Sequence, residues 1–150
     1  PSPYKELTKC RIAYNKEIVS IEYIPYQVRP VSSLRLVKDN TIEYSWKTTN
    51  RETINRLFAS RQKYDDILIV KNDLITDTSI CNVAFSDGNR WKTPEKPLLK
   101  GTQREYLLRR GTIQEARIST DDISKYKHIS LFNAMIGFGE IILPITSINI

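Results

Sequence analysis

At 150 residues and 17.4 kDa, 40% hydrophobic and 27% charged, the chain can build one ordinary core, which excludes two large domains and a disordered chain. No apolar stretch approaches the roughly 20 residues of a membrane span, and two cysteines make no disulfide framework, so a reduced, cytoplasmic protein is expected. Lys and Arg exceed Asp and Glu by 23 to 17, a net charge of +6, yet the signs interleave, as in Arg51, Glu52 and Arg56. That is a mixed, solvated surface with some pull on anions, and neither nucleic acid nor membrane is an expected partner. The first residue is Pro1 rather than Met, and an N-terminal piece is expected to precede it.

Residues 9–24 alternate and are rich in β-branched and aromatic side chains, which predicts two strands turning at Asn15-Lys16. Pro25, Pro30 and Ser32-Ser33 make 25–33 a linker. Leu34–Lys38 and Thr41–Trp46 read as the next strands, joined at Asp39-Asn40. Thr49-x-x-Glu52 has capping-box spacing ahead of Ile54, Leu57 and Phe58, predicting a helix from about Arg51 to Arg61. Asp66–Val70 is a strand of the buried type, turned by Lys71-Asn72-Asp73. Ile80–Phe85 follows and ends at the hairpin signal Ser86-Asp87-Gly88, from which Trp91–Thr93 returns. Gly101 opens a helix over Thr102–Arg110, which Gly111 closes. A strand over Ile113–Ile118, a short helix over 121–126 capped by Thr120, and strands at His128–Phe132 and Ile141–Ile148 complete an α+β chain that is mainly β.

Conventional catalytic constellations are scarce. The single histidine, His128, sits in an apolar strand, where a structural role is the plain reading. Cys10 and Cys81 lack metal-ligand spacing, no metal is expected, and no P-loop or dinucleotide loop occurs. What remains is a set of polar residues at element ends: Lys47, Asp77, Asn82, Gly101–Arg104 and Asn133. By local rules alone Lys47 is a solvated strand-end lysine and Thr76-Asp77-Thr78 a polar turn. The Gly101 turn is a helix start whose free N–H groups and dipole suit a phosphate.

Four blocks in order carry a resemblance: WKTTNRETIN, DDILIVKNDLITDTSICNVAFSDGNRWKTP, PLLKGTQREYLL and ISLFNAMIGFGEIILPI. Together they resemble the class IV aminotransferase family, the pyridoxal 5'-phosphate enzymes of fold type IV, which includes branched-chain and D-amino-acid aminotransferases and aminodeoxychorismate lyase. The resemblance implies a cofactor-binding large domain over 34–150, mainly β and partly barrel-like with helices packed outside. Residues 1–33 would be the end of a truncated or reduced small domain and the interdomain linker.

By the same resemblance, Lys47 is the lysine that binds the cofactor covalently and carries protons. Asp77 pairs with the pyridine nitrogen, one methylene shorter than the usual Glu, with Asn82 in support. The N–H groups of Thr102 and Gln103 bind the phosphate, and Asn133-Ala134 forms a second phosphate-side turn. Lys47 would then face a cleft bordered by Asp77 and Thr102. The implied activity is aminotransferase or aminodeoxychorismate-lyase-like, on a small amino or oxo acid, in a homodimer for which Tyr23, Tyr26 and Trp46 offer anchors. The alternative is a non-catalytic binding protein that keeps the fold and holds an anionic partner.

Overall fold

A computed structural model describes residues 5–149; the expectation about what precedes Pro1 lies outside them. The chain forms two compact units, Pro1–Pro30 and Val31–Ile150. The first is a hairpin of β1 (Thr8–Tyr14) and β2 (Ile18–Pro25), antiparallel from Thr8 opposite Pro25 to Tyr14 opposite Ile18. Neither strand contains a buried residue, and Ile12, Tyr14, Ile18, Val19, Ile21 and Tyr23 are exposed.

In the second unit the elements run β3 (Leu34–Lys38), α1 (Glu52–Ala59), β4 (Asp66–Lys71), β5 (Leu74–Thr78), β6 (Asn82–Ser86), β7 (Trp91–Pro94), α2 (Thr102–Arg109) and β8 (Gln114–Ala116). A 3-10 turn at Thr120–Lys125, β9 (His128–Phe132), β10 (Ile141–Pro144), a second 3-10 turn at Ile145–Ser147 and β11 (Ile148–Asn149) follow. They make a four-stranded sheet in the order β11-β3-β4-β5 and a five-stranded sheet in the order β10-β9-β6-β7-β8. The strands β11, β3 and β4 are parallel, as are β7 and β8; the other pairs are antiparallel. This is a mainly β, α+β fold.

Each sheet carries one helix. Ile54 and Leu57 of α1 press on Val37, Ile67 and Ile69 of the four-stranded sheet, with Ile42 and Leu98 closing the cluster. Leu107 of α2 meets Ala84 and Phe132 of the five-stranded sheet, with Ile113 beside it and Trp91, Leu108 and Phe138 around it. Ile67, Leu68, Ile69 and Val70 are fully buried, so β4 is covered on both faces as its unbroken apolar run demands. Burial of each such side chain contributes about 1.5–3 kcal/mol.

Several expected boundaries shift for physical reasons. Thr41–Trp46 is not a strand. The Asp39 carboxylate accepts from the N–H and hydroxyl of Thr41 and turns the chain, and 42–51 then follows an irregular path. Its alternation is only a mimic, since Ile42 is buried while Trp46 is 82% exposed. The Thr49–Glu52 capping box does not form: the Glu52 N–H donates to Asn50 Oδ1, and Arg51 is the cap residue. The strand at Ile113–Ile118 shortens to Gln114–Ala116, the stretch paired with β7. The next turn is capped by Ser119 with Asp122, not by Thr120. Ile141–Ile148 is split at Pro144, so that its last residues join the other sheet. His128 opens β9 as an exposed residue.

The largest omission is β5. Asn72 and Asp73 both adopt positive φ, 51° and 61°, which gives a two-residue hairpin turn of the type that matches strand twist. The returning strand Leu74–Thr78 is buried despite its Thr-Asp-Thr sequence. Its polar groups are satisfied internally: the Thr76 hydroxyl donates to the Ile69 carbonyl, where the β4–β5 register shifts.

Candidate active site

The corner between β5 and β6 builds the centre of the site. The Thr78 N–H donates to the Cys81 carbonyl, and the Cys81 N–H donates to the Thr78 hydroxyl. This tight turn sets Asp77, near the end of β5, beside Asn82, the first residue of β6. Asn82 Nδ2 donates to Asp77 Oδ1 at 2.9 Å and to the Leu99 carbonyl at 2.8 Å. The Leu99 N–H donates to Asp77 Oδ2 at 2.9 Å. Both faces of the Leu99 residue are thereby pinned two positions before Gly101, the N-cap of α2. A methyl group at Gly101 would collide with Asn82 Oδ1, so only glycine lets the α2 start lie against that amide.

Asp77 is only 6% exposed. Burial is the dominant influence on its carboxyl and pushes the pKa up to about 6, against the opposing pull of the Leu99 N–H, the Asn82 amide and the Arg104 charge. Arg104, 2% exposed, donates from Nη2 to the Pro94 carbonyl at 2.9 Å and to Glu115 at 2.7 Å. It ties the first turn of α2 to β7 and β8.

That first turn has no side-chain cap, because its N-cap is glycine. The N–H groups of Thr102 and Gln103 have no acceptors within the helix. The surroundings of the Gln103 carboxamide require its nitrogen to face the turn after β9, and in that orientation it donates to the carbonyls of Ile136, at 2.8 Å, and Asn133. The turn after β9 is thus held against the start of α2. Within it, Asn133 Oδ1 accepts from the N–H groups of Met135 and Ile136, and Asn133 Nδ2 donates to the Ile80 carbonyl at 3.1 Å. The Asn133 side chain is committed to shaping the turn, and exposed Ala134 offers a backbone N–H with no acceptor among the described residues.

Of the seven predicted site residues, six fall into two linked groups: Asp77 with Asn82, and Thr102 and Gln103 with Asn133 and Ala134. Lys47 stands apart, exposed in the irregular segment 42–51. That segment is anchored by side chains to which the sequence assigns no role of their own. Arg51 Nη2 donates to the Ser79 carbonyl at 2.6 Å and Arg51 Nη1 to Tyr44 Oη at 3.2 Å, with the guanidinium 5.5 Å from the Tyr44 ring centre. Tyr44 Oη donates in turn to the Thr48 carbonyl at 3.4 Å. A cavity of about 420 Å³ opens beside it, lined by Tyr44, Trp46, Thr48, Asn50 and Arg51 among others. Leu99 and Ser79 act through backbone atoms and carry no sequence signal; Arg104 carried one in its helical phase with buried Leu107.

A buried acid with raised proton affinity accepts a ring N–H, and an uncapped helix start accepts a phosphate. The mainly β, α+β fold is that of fold type IV. Residues 15–148 match the family amino-transferase class IV, and the chain belongs to it. An uncharacterized protein of Haemophilus influenzae is 46% identical over 138 residues, covering 91% of this chain and 73% of the relative. The crystal structure of a "putative 4-amino-4-deoxychorismate lyase" from Haemophilus somnus superposes with a TM-score of 0.82 at 38% identity, over 87% of this chain and 67% of that one. A hypothetical aminotransferase of Mycobacterium tuberculosis, solved with α-ketoglutarate and PMP, shares the fold with a TM-score of 0.66 at 16% identity, over 79% and 51% of the two chains.

Proposed function

We propose that the chain is the cofactor-binding part of a pyridoxal 5'-phosphate enzyme that acts on an amino-group-bearing carboxylic acid, by amino transfer or by aminodeoxychorismate-lyase-like chemistry. One observation carries this reading. The buried Asp77 carboxylate is joined through Asn82 and Leu99 to Gly101, and so to the bare N-terminus of α2. An acid site and an anion site are thereby fixed to each other by the fold.

When bound, the cofactor supplies an electron sink for the carbon that carries the substrate amine. Asp77 holds the proton of the ring nitrogen, and its two hydrogen-bond donors keep it oriented for that contact. The N–H groups of Thr102, Gln103 and Ala134 receive the phosphate in a direction set by the helix dipole. Lys47 supplies the amine that attaches the cofactor and moves protons at the reacting carbon. The excess of basic residues aids capture of an anionic substrate, an effect that salt screens. In the same reading the assembly is a homodimer, in which a second copy helps exclude water from the cleft.

The test is reconstitution. Protein incubated with pyridoxal 5'-phosphate, reduced with borohydride and digested should carry the label on Lys47, and the unreduced protein should absorb in the visible. Lys47→Ala should abolish both. A wild-type protein that stays colourless and unlabelled overturns the proposal. Turnover in a screen of primary amines and 2-oxo acids excludes the non-catalytic alternative. A single sedimenting species near 17.4 kDa with full cofactor occupancy would refute the dimer.

A further inference from the structure

We infer that Arg51 is a positioning residue that clamps the Lys47 segment to the Asp77 corner, acting through Tyr44. The inference rests on the proposed roles of Lys47 and Asp77 and adds a residue to them.

The argument begins with the segment itself. Ten residues, 42–51, run between β3 and α1 without strand or helix, and most of their side chains are exposed. A loop of that length has no ladder to hold it, so side-chain bonds must fix its path. At its entry, Lys71 Nζ donates to the Ile42 carbonyl at 2.7 Å. At its exit stands Arg51, whose guanidinium reaches in two directions. One arm donates to the Ser79 carbonyl at 2.6 Å, in the β5–β6 corner two residues beyond Asp77. The other arm donates to Tyr44 Oη at 3.2 Å. That hydroxyl donates to the carbonyl of Thr48, the residue after Lys47. Within the loop, the Thr48 hydroxyl donates to the Asn50 carbonyl at 2.8 Å.

A continuous chain of hydrogen bonds therefore leads from the residue after Lys47 to the corner two residues beyond Asp77. A guanidinium donates to the two acceptors from two separate nitrogens in one rigid plane while lying near an aromatic ring; a lysine has all its donors on a single flexible nitrogen. Arg51 is partly buried, which shields these bonds from competing water. The arrangement costs no catalytic atom, because neither Arg51 nor Tyr44 needs to touch the cofactor or the substrate. What it supplies is a constant span between an amine on a loop and an acid on a strand. Misplacement of a reacting group by about 1 Å can cost on the order of 100-fold in rate.

The experiment uses the full chain with three variants: Arg51→Ala, Arg51→Lys and Tyr44→Phe. First, limited cleavage by chymotrypsin after the exposed Trp46 is followed on cofactor-free protein. It should run at least about tenfold faster in Arg51→Ala, with the urea midpoint measured beside it as the control for global unfolding. Next, the rate of covalent labelling of Lys47 by pyridoxal 5'-phosphate is followed by absorbance and by borohydride trapping. It should fall about 10- to 100-fold in Arg51→Ala and severalfold in Tyr44→Phe, with partial recovery in Arg51→Lys. Tyr44→Phe added to Arg51→Ala should cost little more, since both break one chain of bonds. Tyr44→Phe keeps the ring packed, so it reads the bond chain even if Arg51→Ala folds poorly. Unchanged cleavage after Trp46, or wild-type labelling rates in both Arg51→Ala and Tyr44→Phe, overturns the inference. If wild-type protein takes no label at all, the proposed function fails, and the cleavage measurement still decides whether Arg51 holds the segment.

Discussion

Asp77 shows how one buried side chain links folding to pH. Its pKa of about 6 lies above the ordinary value of 3.8 because burial disfavours the charged form. The folded chain therefore takes up a proton that the unfolded chain releases. The resulting stabilisation is fully present below pH 3.8 and is lost as pH rises through 6. Relative to Asp77→Asn, cofactor-free wild-type protein should gain up to about 3 kcal/mol between pH 7 and pH 4. Urea unfolding of both proteins across that range is the check, and parallel curves would refute the assignment. Gly101 makes a second test at this scale. Its φ of −69° and ψ of 151° suit alanine, so Gly101→Ala acts only through the clash with Asn82 Oδ1. The expected cost is about 1–3 kcal/mol, and Asn82→Ala in the same chain should make the two changes less than additive.

At the scale of elements, legibility followed periodicity. Strands β4 and β9 announce themselves by apolar runs, α1 by apolar spacing and α2 by its flanking glycines, and the structure has them within a few residues of the expected bounds. β5 was hidden because Thr76, Asp77 and Thr78 read as a turn, whereas tertiary partners satisfy each of them in a buried strand. The candidate site was legible only through the order of its blocks: nothing local distinguishes Lys47 or Asp77. What no pattern carried was the wiring, since Leu99 and Ser79 contribute backbone atoms. Arg104 offers the test here. Replacing it with Ala leaves the Pro94 carbonyl without its guanidinium partner, and the expected cost is about 3 kcal/mol. Arg104→Met should cost less, because its side chain fills much of the buried volume that Ala leaves empty. Denaturant midpoints of the two variants measure the difference.

Across the whole molecule, stability is unevenly spread. Every buried hydrophobic side chain of the described residues belongs to the second unit, and the β1–β2 hairpin contributes none. A two-stranded ribbon is marginal by itself. Amides of 8–25 in a dilute sample should exchange at least about 1,000-fold faster than those of β4, read by mass spectrometry after short labelling. Comparable protection in both would mean that the hairpin is held by something beyond its own bonds.

The two residues of β11 have a consequence for handling the protein. Ile148 and Asn149 pair in parallel with Leu34 and Arg35, at the rim of the four-stranded sheet. They act as a plug over a raw sheet border whose first residue, Leu34, is fully buried. Clipping the chain at Ile145 would leave that border bare, with unsatisfied N–H and C=O groups ready to template another copy. The clipped protein should scatter light and form fibrillar or amorphous deposits at concentrations where the intact chain stays clear. A protease cut in this segment is thus a threat to colloidal behaviour well before it touches the chemistry.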